Sequence, residues 1–373
     1  MNQDPLKRYP HNHMISIIVG TRPEIIKMSP IIRECQRRNI DFSLLHTGQH
    51  YSYEMDRIFF EELNLPVPDH HLDVGSGSHA DQTGAIMSGI GRVYEEERPD
   101  VVLVQGDTNT VLAGSLVAAK MRVPLGHVEA GLRSYDRTMP EEVNRVVSDH
   151  VGDWLFAPTE KARENLLKEG IDESKILVTG NTIVDAVYQN LEIAKKRGDA
   201  LKTFEVRPKE YFLVTAHRQE NVDNPEKLQH IISALTTIHE QYTIPIIFPV
   251  HPRTLKMIDQ FQIPVNGICL TNPIGFFKFL QLESKARLVL TDSGGVQEEC
   301  CILGVPCVTL RENTERPETV DVGANTIVGT EPERILAGVQ KMIGGSGGWS
   351  NPYGDGTAGE KIVKWCVNQA VRK

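Results

Sequence analysis

Long hydrophobic runs are absent from this 373-residue chain. No run approaches the roughly 18 apolar residues that a membrane-spanning helix requires, so we expect no membrane partner. The first 13 residues, MNQDPLKRYPHNH, lack the apolar stretch of a signal peptide. We therefore expect a polar leader ahead of a first strand that starts at Met14.

A net positive charge and CxxC cysteine pairs are also absent from the chain. The formal net charge is -9, which argues against nucleic acid as the main partner but leaves room for small anionic ligands that local geometry binds. The six cysteines form no CxxC pair, so neither a zinc site nor a disulfide framework is predicted. Scattered single cysteines are typical of a reducing compartment, and we expect the protein in the cytoplasm.

What the chain does contain is ordinary for a globular protein of two domains, with 40% hydrophobic and 24% charged residues. Two series of short apolar, β-rich runs alternate with helical segments, which predicts an α/β fold of parallel sheets covered on both faces. The polar segment 191–208 separates the two series. The first series occupies 15–20, 42–48, 101–107, 123–129, 154–159 and 176–180, and the second 211–217, 245–251, 268–273, 288–293 and 307–310.

The Gly/Ser-rich segment 344–359 has spacing like GxGxxG, but no strand leads into it. We interpret it as a crossover linker before a last helix rather than as a phosphate-binding loop. Because no GxGxxG segment follows a strand, no nicotinamide cofactor is expected, and no cluster of metal ligands is visible.

The most informative segment is LVLTDSGGVQEE, residues 288–299, which predicts a strand, a tight turn and a helix N-terminus. Unpaired N–H groups at such a terminus bind anions, and Gly294 and Gly295 allow a phosphate to approach the main chain. A carboxylate at Glu298 or Glu299 would accept sugar hydroxyls, so the segment suggests a nucleotide. The alternative is a helix that Ser293 merely caps.

Charged side chains follow several strands of the first series, at the edge where open α/β sheets bind ligands. After the first strand, Arg22 and Lys27 are candidates for phosphate contacts, although Lys27 would also pair with Glu24 on a helix surface. His127 is either a ligand contact or a satisfied core histidine.

Three carboxylates follow later strands of this series: Asp107, Glu129 and Glu141. Asp107 has the alternative of an N-cap, and Glu141 that of pairing with Arg145 in the first turns of a helix. Several carboxylates in one cleft push their pKa values apart, which creates one acid and one base.

The second series places His217 and Arg218 after one strand and His251 and Arg253 after another. Such side chains contact phosphates or assist proton transfer. The segment 311–318, which includes Arg316, either closes over a ligand or forms a solvated loop.

Together these motifs resemble the non-hydrolysing UDP-N-acetylglucosamine 2-epimerases. The matching segments span nearly the whole chain in the family's order: GTRPEIIKMSP (20–30), PDVVLVQGDTNT (99–110), GHVEAGLR (126–133), PEEVNR (140–145), GNTIVDA (180–186), LTDSGGVQEE (290–299), TERPE (314–318) and NPYGDG (351–356). The resemblance implies two Rossmann-like domains facing a cleft, as in GT-B glycosyltransferases, with the last helix crossing back to the first domain. We expect the N-terminal domain to comprise 1–182 with 358–373, and the UDP-binding domain 183–357.

The resemblance also implies the reaction, a reversible C2 epimerisation of UDP-GlcNAc to UDP-ManNAc through anti elimination of UDP, a 2-acetamidoglucal intermediate and re-addition. By motif position, Asp107, Glu129, Glu141 and His217 match the family's catalytic residues. Arg22 and Lys27 match positions near the phosphates. Ser293, Gly294 and Gly295 match the diphosphate turn, and Glu299 matches the ribose carboxylate. The family needs no cofactor, usually forms homodimers and supplies ManNAc-type sugars for surface glycans.

The chain departs from the bacterial pattern in three places. Two are conservative: QGDTNT replaces HGDTTT, and Ala216 precedes His217 where many members have glycine. The third is a QHxxMxD motif tied to a regulatory UDP-GlcNAc, where Gln49-His50 and Met55-Asp56 lie two residues further apart than in bacteria. The chain therefore departs from the family at the motif tied to allosteric activation by substrate, and the sequence leaves that activation open.

Other functions remain open from the sequence alone. One is 2-epimerisation of a modified UDP-sugar such as a diacetamido uronic acid. Another is glycosyl transfer by a GT-B enzyme, and a third is nucleotide-sugar sensing without catalysis.

Overall fold

A computed structural model describes residues 14–49, 53–345 and 348–370. The chain forms two compact units. The first comprises residues up to Ala186 and from Tyr353 onward, and the second comprises Val187–Pro352. The expected polar leader (1–13) and part of the expected regulatory motif (50–52) lie outside the described residues, as do residues 346–347 of the expected linker.

The first unit is built on a parallel sheet whose strands run in the order β3-β2-β1-β4-β5-β6-β7. Its strands are β1 (Ile15–Val19), β2 (Phe42–His46), β3 (His70–His71), β4 (Val101–Gln105), β5 (Leu125–Val128), β6 (Trp154–Ala157) and β7 (Ile176–Val178). Its helices are α1 (Arg22–Arg38), α2 (Tyr53–Glu62), α3 (His79–Glu97), α4 (Asn109–Met121), α5 (Pro140–Val151), α6 (Glu160–Lys168), the start of α7 (Thr182–Lys195) and, from the C-terminal end, α16 (Ala358–Ala370).

The second unit repeats this architecture, with strands in the order β10-β9-β8-β11-β12-β13. These are β8 (Phe212–Thr215), β9 (Ile246–Pro249), β10 (Ile268–Thr271), β11 (Leu288–Thr291), β12 (Cys307–Thr309) and β13 (Asn325–Ile327). The helices are α8 (Ala200–Thr203), α9 (Gln219–Val222), α10 (Pro225–Tyr242), α11 (Pro252–Gln260), α12 (Phe276–Lys285), α13 (Gly294–Leu303), α14 (Pro317–Asp321) and α15 (Pro332–Gly344).

The unbroken apolar runs are explained by burial on both faces of each sheet. In β8, Phe212 and Val214 belong to one hydrophobic cluster, whereas Leu213 belongs to a cluster on the opposite face. Successive side chains of a strand alternate between faces, so a strand covered on both sides must be apolar at every position. Burying such a side chain contributes about 1.5–3 kcal/mol to folding.

The last helix, α16, packs against α1 as the resemblance implied. Asp185 accepts hydrogen bonds from the backbone N–H groups of Ala358 and Gly359 at 3.3 and 2.9 Å, which satisfies the first turn of α16. A Cβ at Gly359 would lie 3.1 Å from the Pro30 Cβ, so glycine permits this close approach. The GNTIVDA motif therefore has a structural use in anchoring α16.

Both the α/β fold and the two Rossmann-like units are confirmed. Each apolar run predicted as a strand contains one, but the two short strands β3 and β13 were not predicted. β3 consists of two histidines, and β13 begins with Asn325, so neither shows the apolar pattern of a buried strand. Across the residues described, we find no helix long and apolar enough to cross a membrane.

Candidate functional site

In the first unit, Asp107 and Glu129 follow two neighbouring strands. Gln105 of β4 pairs with Val128 of β5, so the segments that contain the two carboxylates leave the sheet side by side. Gly106, between Gln105 and Asp107, has φ +87°, a backbone conformation that favours glycine. The prediction that both residues lie at one sheet edge is therefore supported by the strand register.

Glu129 is held in an unusual conformation. Its φ is +69°, in the left-handed region, which costs a non-glycine residue about 1–2 kcal/mol. Its buried carboxylate accepts hydrogen bonds from Lys27 Nζ at 2.6 and 2.8 Å and from the Gln105 side chain. Lys27 therefore pairs with Glu129 and not with Glu24, so the alternative of a surface pair on α1 is wrong. A left-handed backbone conformation at a residue whose carboxylate is buried and ion-paired is typical of a functional residue.

Glu24 has a role that sequence reasoning missed. Its buried carboxylate accepts hydrogen bonds from the N–H groups of Gly20 and Thr21 at 2.7 and 2.8 Å, and from Thr108 Oγ1 at 2.5 Å. Burial raises the pKa of Glu24 to about 7, against the lowering effect of these hydrogen bonds. The side chain links the turn that contains Arg22 to the turn that contains Asp107.

Asp107 is bound by Arg145 of α5, whose guanidinium also donates to Glu142 at 2.5 Å. The N-cap of α4 is Thr108, whose Oγ1 accepts from the Val111 N–H, so the interpretation of Asp107 as an N-cap is wrong. Asp107 is instead an ion-paired carboxylate that is a third exposed.

Glu141 and Glu142 differ sharply, although they are adjacent in the first turn of α5. Glu142 is buried and accepts from the N–H groups of Ser134 and Tyr135 at 3.0 and 2.9 Å. Glu141 is partly exposed, and its side chain has no hydrogen bond to the described residues. Arg145 contacts Glu142 instead, so the alternative of a Glu141–Arg145 pair is wrong. Glu141 thus remains available for a substrate.

His127 is a satisfied core histidine, one of the two interpretations considered. Its Nδ1 lies 2.7 Å from Asp149 Oδ1, and its Nε2 lies 2.8 Å from the carbonyl oxygen of Gly106. Burial lowers the pKa of His127, but the neighbouring Asp149 outweighs burial and raises it overall. Arg133 also contacts Asp149, at 2.7 Å, so these residues form a buried ionic network beneath the carboxylates.

Arg22 begins α1, and its guanidinium carbon lies 5.3 Å from the centroid of the Phe59 ring, within cation–π range. Gly20, just before it, has no room for a side chain, because a Cβ would lie 2.2 Å from Thr110 Oγ1. The contacts of this turn therefore fix the position of its backbone.

In the second unit, His217 and Asp292 follow the neighbouring strands β8 and β11. Asp292 is completely buried, whereas the His217 side chain is 48% exposed, and His217 Nδ1 lies 3.2 Å from Asp292 Oδ1. Sequence reasoning selected His217 but missed Asp292, because nothing in the sequence shows that β8 and β11 are neighbours.

The turn that was predicted to bind a diphosphate lies directly after Asp292. The Ser293 N–H donates to Thr291 Oγ1 at 2.9 Å, and α13 begins at Gly294. Ser293 occupies the N-cap position, but its side chain makes no capping hydrogen bond within the described structure, so the simple capping alternative fails. A Cβ at Gly294 would have Glu315 Oε2 as its nearest neighbour, at 3.8 Å. The predicted turn therefore presents an open, positively polarised helix N-terminus.

The two glutamates of α13 are also distinct. Glu298 is buried and pairs with Arg316 at 2.8 Å, which gives Arg316 a structural partner. Glu299 is partly exposed. Burial and the charge of Glu299 raise the pKa of Glu283, a buried carboxyl on α12.

The remaining predicted contacts lie at the end of β9. His251 caps α11, with its Nδ1 accepting from the Arg253 N–H at 3.2 Å, and Arg253 Nε donates to Asp223 at 2.8 Å. Both side chains thus have local partners, and a ligand contact for either stays a prediction. Among the residues that the structure covers, no group of three or more potential ligands is arranged to bind a metal.

Comparison with known proteins identifies the family to which the chain is similar. The sequence profile described as UDP-N-acetylglucosamine 2-epimerase matches residues 33–366. The UDP-N-acetylglucosamine 2-epimerase of Methanocaldococcus jannaschii is 56% identical over 357 residues, covering 94% of this chain and 98% of its own. A crystal structure of M. jannaschii UDP-GlcNAc 2-epimerase in complex with UDP-GlcNAc and UDP is 55% identical, with a TM-score of 0.83 over 95% of this chain and 99% of that one.

A more distant relative is the UDP-2,3-diacetamido-2,3-dideoxy-D-glucuronate 2-epimerase of Pseudomonas aeruginosa. It is 38% identical over 355 residues and is matched over 98% of its length. The fold is thus that of nucleotide-sugar enzymes with paired Rossmann-like units. The chain belongs to the UDP-N-acetylglucosamine 2-epimerase family, and its enzyme class is isomerase.

Proposed function

We propose that this chain interconverts UDP-GlcNAc and UDP-ManNAc by inverting C2 of the sugar. The proposal rests above all on Glu129, whose backbone is left-handed and whose buried carboxylate accepts hydrogen bonds from Lys27 and Gln105 beside the Asp107 turn. A cation at hydrogen-bond distance stabilises the carboxylate form that a base requires. The relatives named for this reaction supply the choice of substrate.

In the proposed mechanism, a carboxylate of the first unit removes the C2 proton while the C1–O bond to UDP breaks. The electron pair of the C2–H bond becomes the C1–C2 double bond of 2-acetamidoglucal, and UDP departs with the electron pair of the C1–O bond. UDP then adds back to C1 while a proton is delivered to the opposite face of C2. Asp107, Glu129 and Glu141 are the candidate acid and base groups, and His217 assists proton transfer.

The second unit grips the leaving group. The N–H groups at the start of α13 and the turn Ser293–Gly295 receive the diphosphate, and Glu299 accepts the ribose hydroxyls. Arg22 and Lys27 of the first unit are candidates for phosphate contacts because they match the family's motif positions, and His251, Arg253 and Arg316 are further candidates for UDP contacts. A firm hold on UDP prevents loss of the intermediate, so this turn serves retention as well as binding.

The proposal extends to the use of the product, the compartment and the oligomeric state, as the sequence suggested. The product would supply ManNAc-type sugars for surface polysaccharide or glycan synthesis, in the cytoplasm, and the enzyme would act as a homodimer. Sedimentation equilibrium measures the oligomeric state directly, and a monomer at working concentration would contradict that part.

The experiment that tests the activity is incubation of the purified chain with UDP-GlcNAc, followed by proton NMR of the sugar products. We expect UDP-ManNAc to appear without accumulation of free UDP. A parallel incubation with UDP-2,3-diacetamido-2,3-dideoxy-D-glucuronate tests the modified-sugar alternative. Turnover of that sugar alone, or release of UDP only when a sugar acceptor is added, would contradict the proposal.

A further inference from the structure

Asp292 is completely buried, and its carboxylate is surrounded by hydrogen-bond donors. Its Oδ2 accepts hydrogen bonds from the N–H groups of His217 and Arg218, both at 2.9 Å, and from Asn221 Nδ2 at 3.2 Å. Its Oδ1 accepts from the His217 N–H at 3.1 Å and faces the imidazole Nδ1 at 3.2 Å. One carboxylate oxygen therefore anchors the backbone after β8, and the other faces the imidazole.

The position of Oδ1 determines which ring nitrogen carries the proton. An ionised carboxylate has only lone pairs to offer, so a neutral imidazole beside it is stabilised with its proton on Nδ1. Nε2, on the far side of the ring, is then left as an acceptor on a side chain that is 48% exposed.

We propose that Asp292 is a positioning residue, which holds His217 as the Nδ1–H tautomer and so presents Nε2 as a proton acceptor. This inference rests on the proposed catalytic use of His217, but the tautomer itself is a property of the free protein. Asp292 touches no substrate in this proposal and acts entirely through His217.

The Asp292→Asn variant distinguishes this role from simple packing. Three donors meet Oδ2, so the amide oxygen of asparagine is stabilised there and its NH2 group falls opposite Nδ1. Nδ1 must then accept a hydrogen bond, and the proton moves to Nε2. The substitution therefore inverts the tautomer while nearly preserving the shape of the side chain.

The test is long-range 1H–15N NMR of the His217 imidazole in the ligand-free protein, at a pH where the ring is neutral. We expect the Nδ1–H tautomer in the wild type and the Nε2–H tautomer in Asp292→Asn. With UDP-GlcNAc as substrate, kcat should fall about 100-fold or more while KM changes little. In a His217→Asn background the same substitution should cost less than about threefold, because its effect runs through the imidazole.

Two matched variants separate positioning from stability. Asn221→Ala removes one donor to Asp292 and a hydrogen bond to the Leu310 carbonyl, but it leaves the contact with the imidazole, so the Nδ1–H tautomer should persist. Asp199→Asn, at the exposed N-cap of α8, controls for the general effect of an aspartate-to-asparagine change.

An Nε2–H tautomer in the wild type would overturn the proposal even if Asp292→Asn fails to fold. An unchanged tautomer in a folded Asp292→Asn protein, or an equal loss of kcat in the His217→Asn background, would also overturn it. If the tautomer inverts but the wild type does not turn over UDP-GlcNAc, the positioning role stands and the proposed function fails.

Discussion

The turn after β1 in the first unit and the turn after β8 in the second are each held by a buried carboxylate that accepts backbone N–H groups. In the first unit Glu24 lies in the first turn of α1, directly after that connection, whereas in the second Asp292 follows the neighbouring strand β11. The backbone N–H groups after a strand are thus bound once by a nearby residue and once by a residue more than 70 positions away. The local solution has a sequence signature that our predictions overlooked, the capping box of Thr21 and Glu24, whereas nothing in the sequence places Asp292 beside the segment after β8.

The two units also differ in what they present at the sheet edge. The first pairs its carboxylates with cations, Glu129 with Lys27 and Asp107 with Arg145. The second presents a half-exposed imidazole and an open helix N-terminus. Similar Rossmann-like scaffolds therefore offer different chemistry because their strand-end segments differ. We assign the carboxylate acid and base groups to the first unit, and UDP retention together with the assisting imidazole of His217 to the second.

The largest effect should come from the first unit, with Glu129→Gln. Because the amide cannot accept the C2 proton, we expect kcat to fall about 1000-fold, or about 4 kcal/mol, while UDP affinity is nearly unchanged. NMR measurement of C2 exchange and calorimetric titration with UDP provide the two readouts, and the exposed Glu164→Gln on α6 is the control. Asp107→Asn and Glu141→Gln should behave likewise, and full exchange in all three variants would refute the assignment.

The next largest effect should be a loss of protein stability when the ionic network of His127, Arg133 and Asp149 is broken. Asp149→Asn leaves Arg133 and His127 without their buried partner, so we expect the free energy of unfolding to fall by about 3 kcal/mol. Urea denaturation measures the change. The control is Asp41→Asn at an exposed position, and equal stability of the two variants would show that the network contributes nothing.

Glu24 predicts a pH dependence of stability. Its folded-state pKa of about 7 lies above the usual 4.5, so its contribution is fully present below pH 4.5 and is lost as the pH rises through 7. Relative to Glu24→Gln, the wild type should lose about 2 kcal/mol of unfolding free energy between pH 5 and pH 7.5. Urea unfolding at several pH values tests this, with Glu95→Gln on the surface of α3 as control. Parallel pH curves for wild type and Glu24→Gln would contradict it.

The smallest effect tests the second unit. Gly295→Ala adds a methyl group that meets no atom nearer than 4.0 Å, so the fold should be unaffected. The same methyl group would crowd a diphosphate at the start of α13, and we expect about tenfold weaker UDP binding, about 1.4 kcal/mol. Titration calorimetry measures the affinity, and Gly344→Ala, also in open space, is the control. Unchanged affinity would mean that the diphosphate binds elsewhere.

The sequence predicted the α/β layers, the strand-end location of the carboxylates and the turn at Ser293, because these depend on local apolar patterns and small-residue turns. It did not predict which charges pair. Lys27 had Glu24 within helical reach, yet it pairs with Glu129 from β5, and Arg145 pairs with Glu142 rather than Glu141. Such choices depend on strand order and helix rotation, which are set by packing and not by spacing along the chain.

The assignment of chemistry to C2 is tested most directly by running the wild-type reaction with UDP-GlcNAc in D2O and reading the C2 position of the product by proton NMR. Elimination and re-addition require that the C2 proton be exchanged with solvent, so we expect UDP-ManNAc that carries deuterium at C2. UDP-ManNAc that retains its original C2 proton, or substrate that remains unchanged, would contradict it.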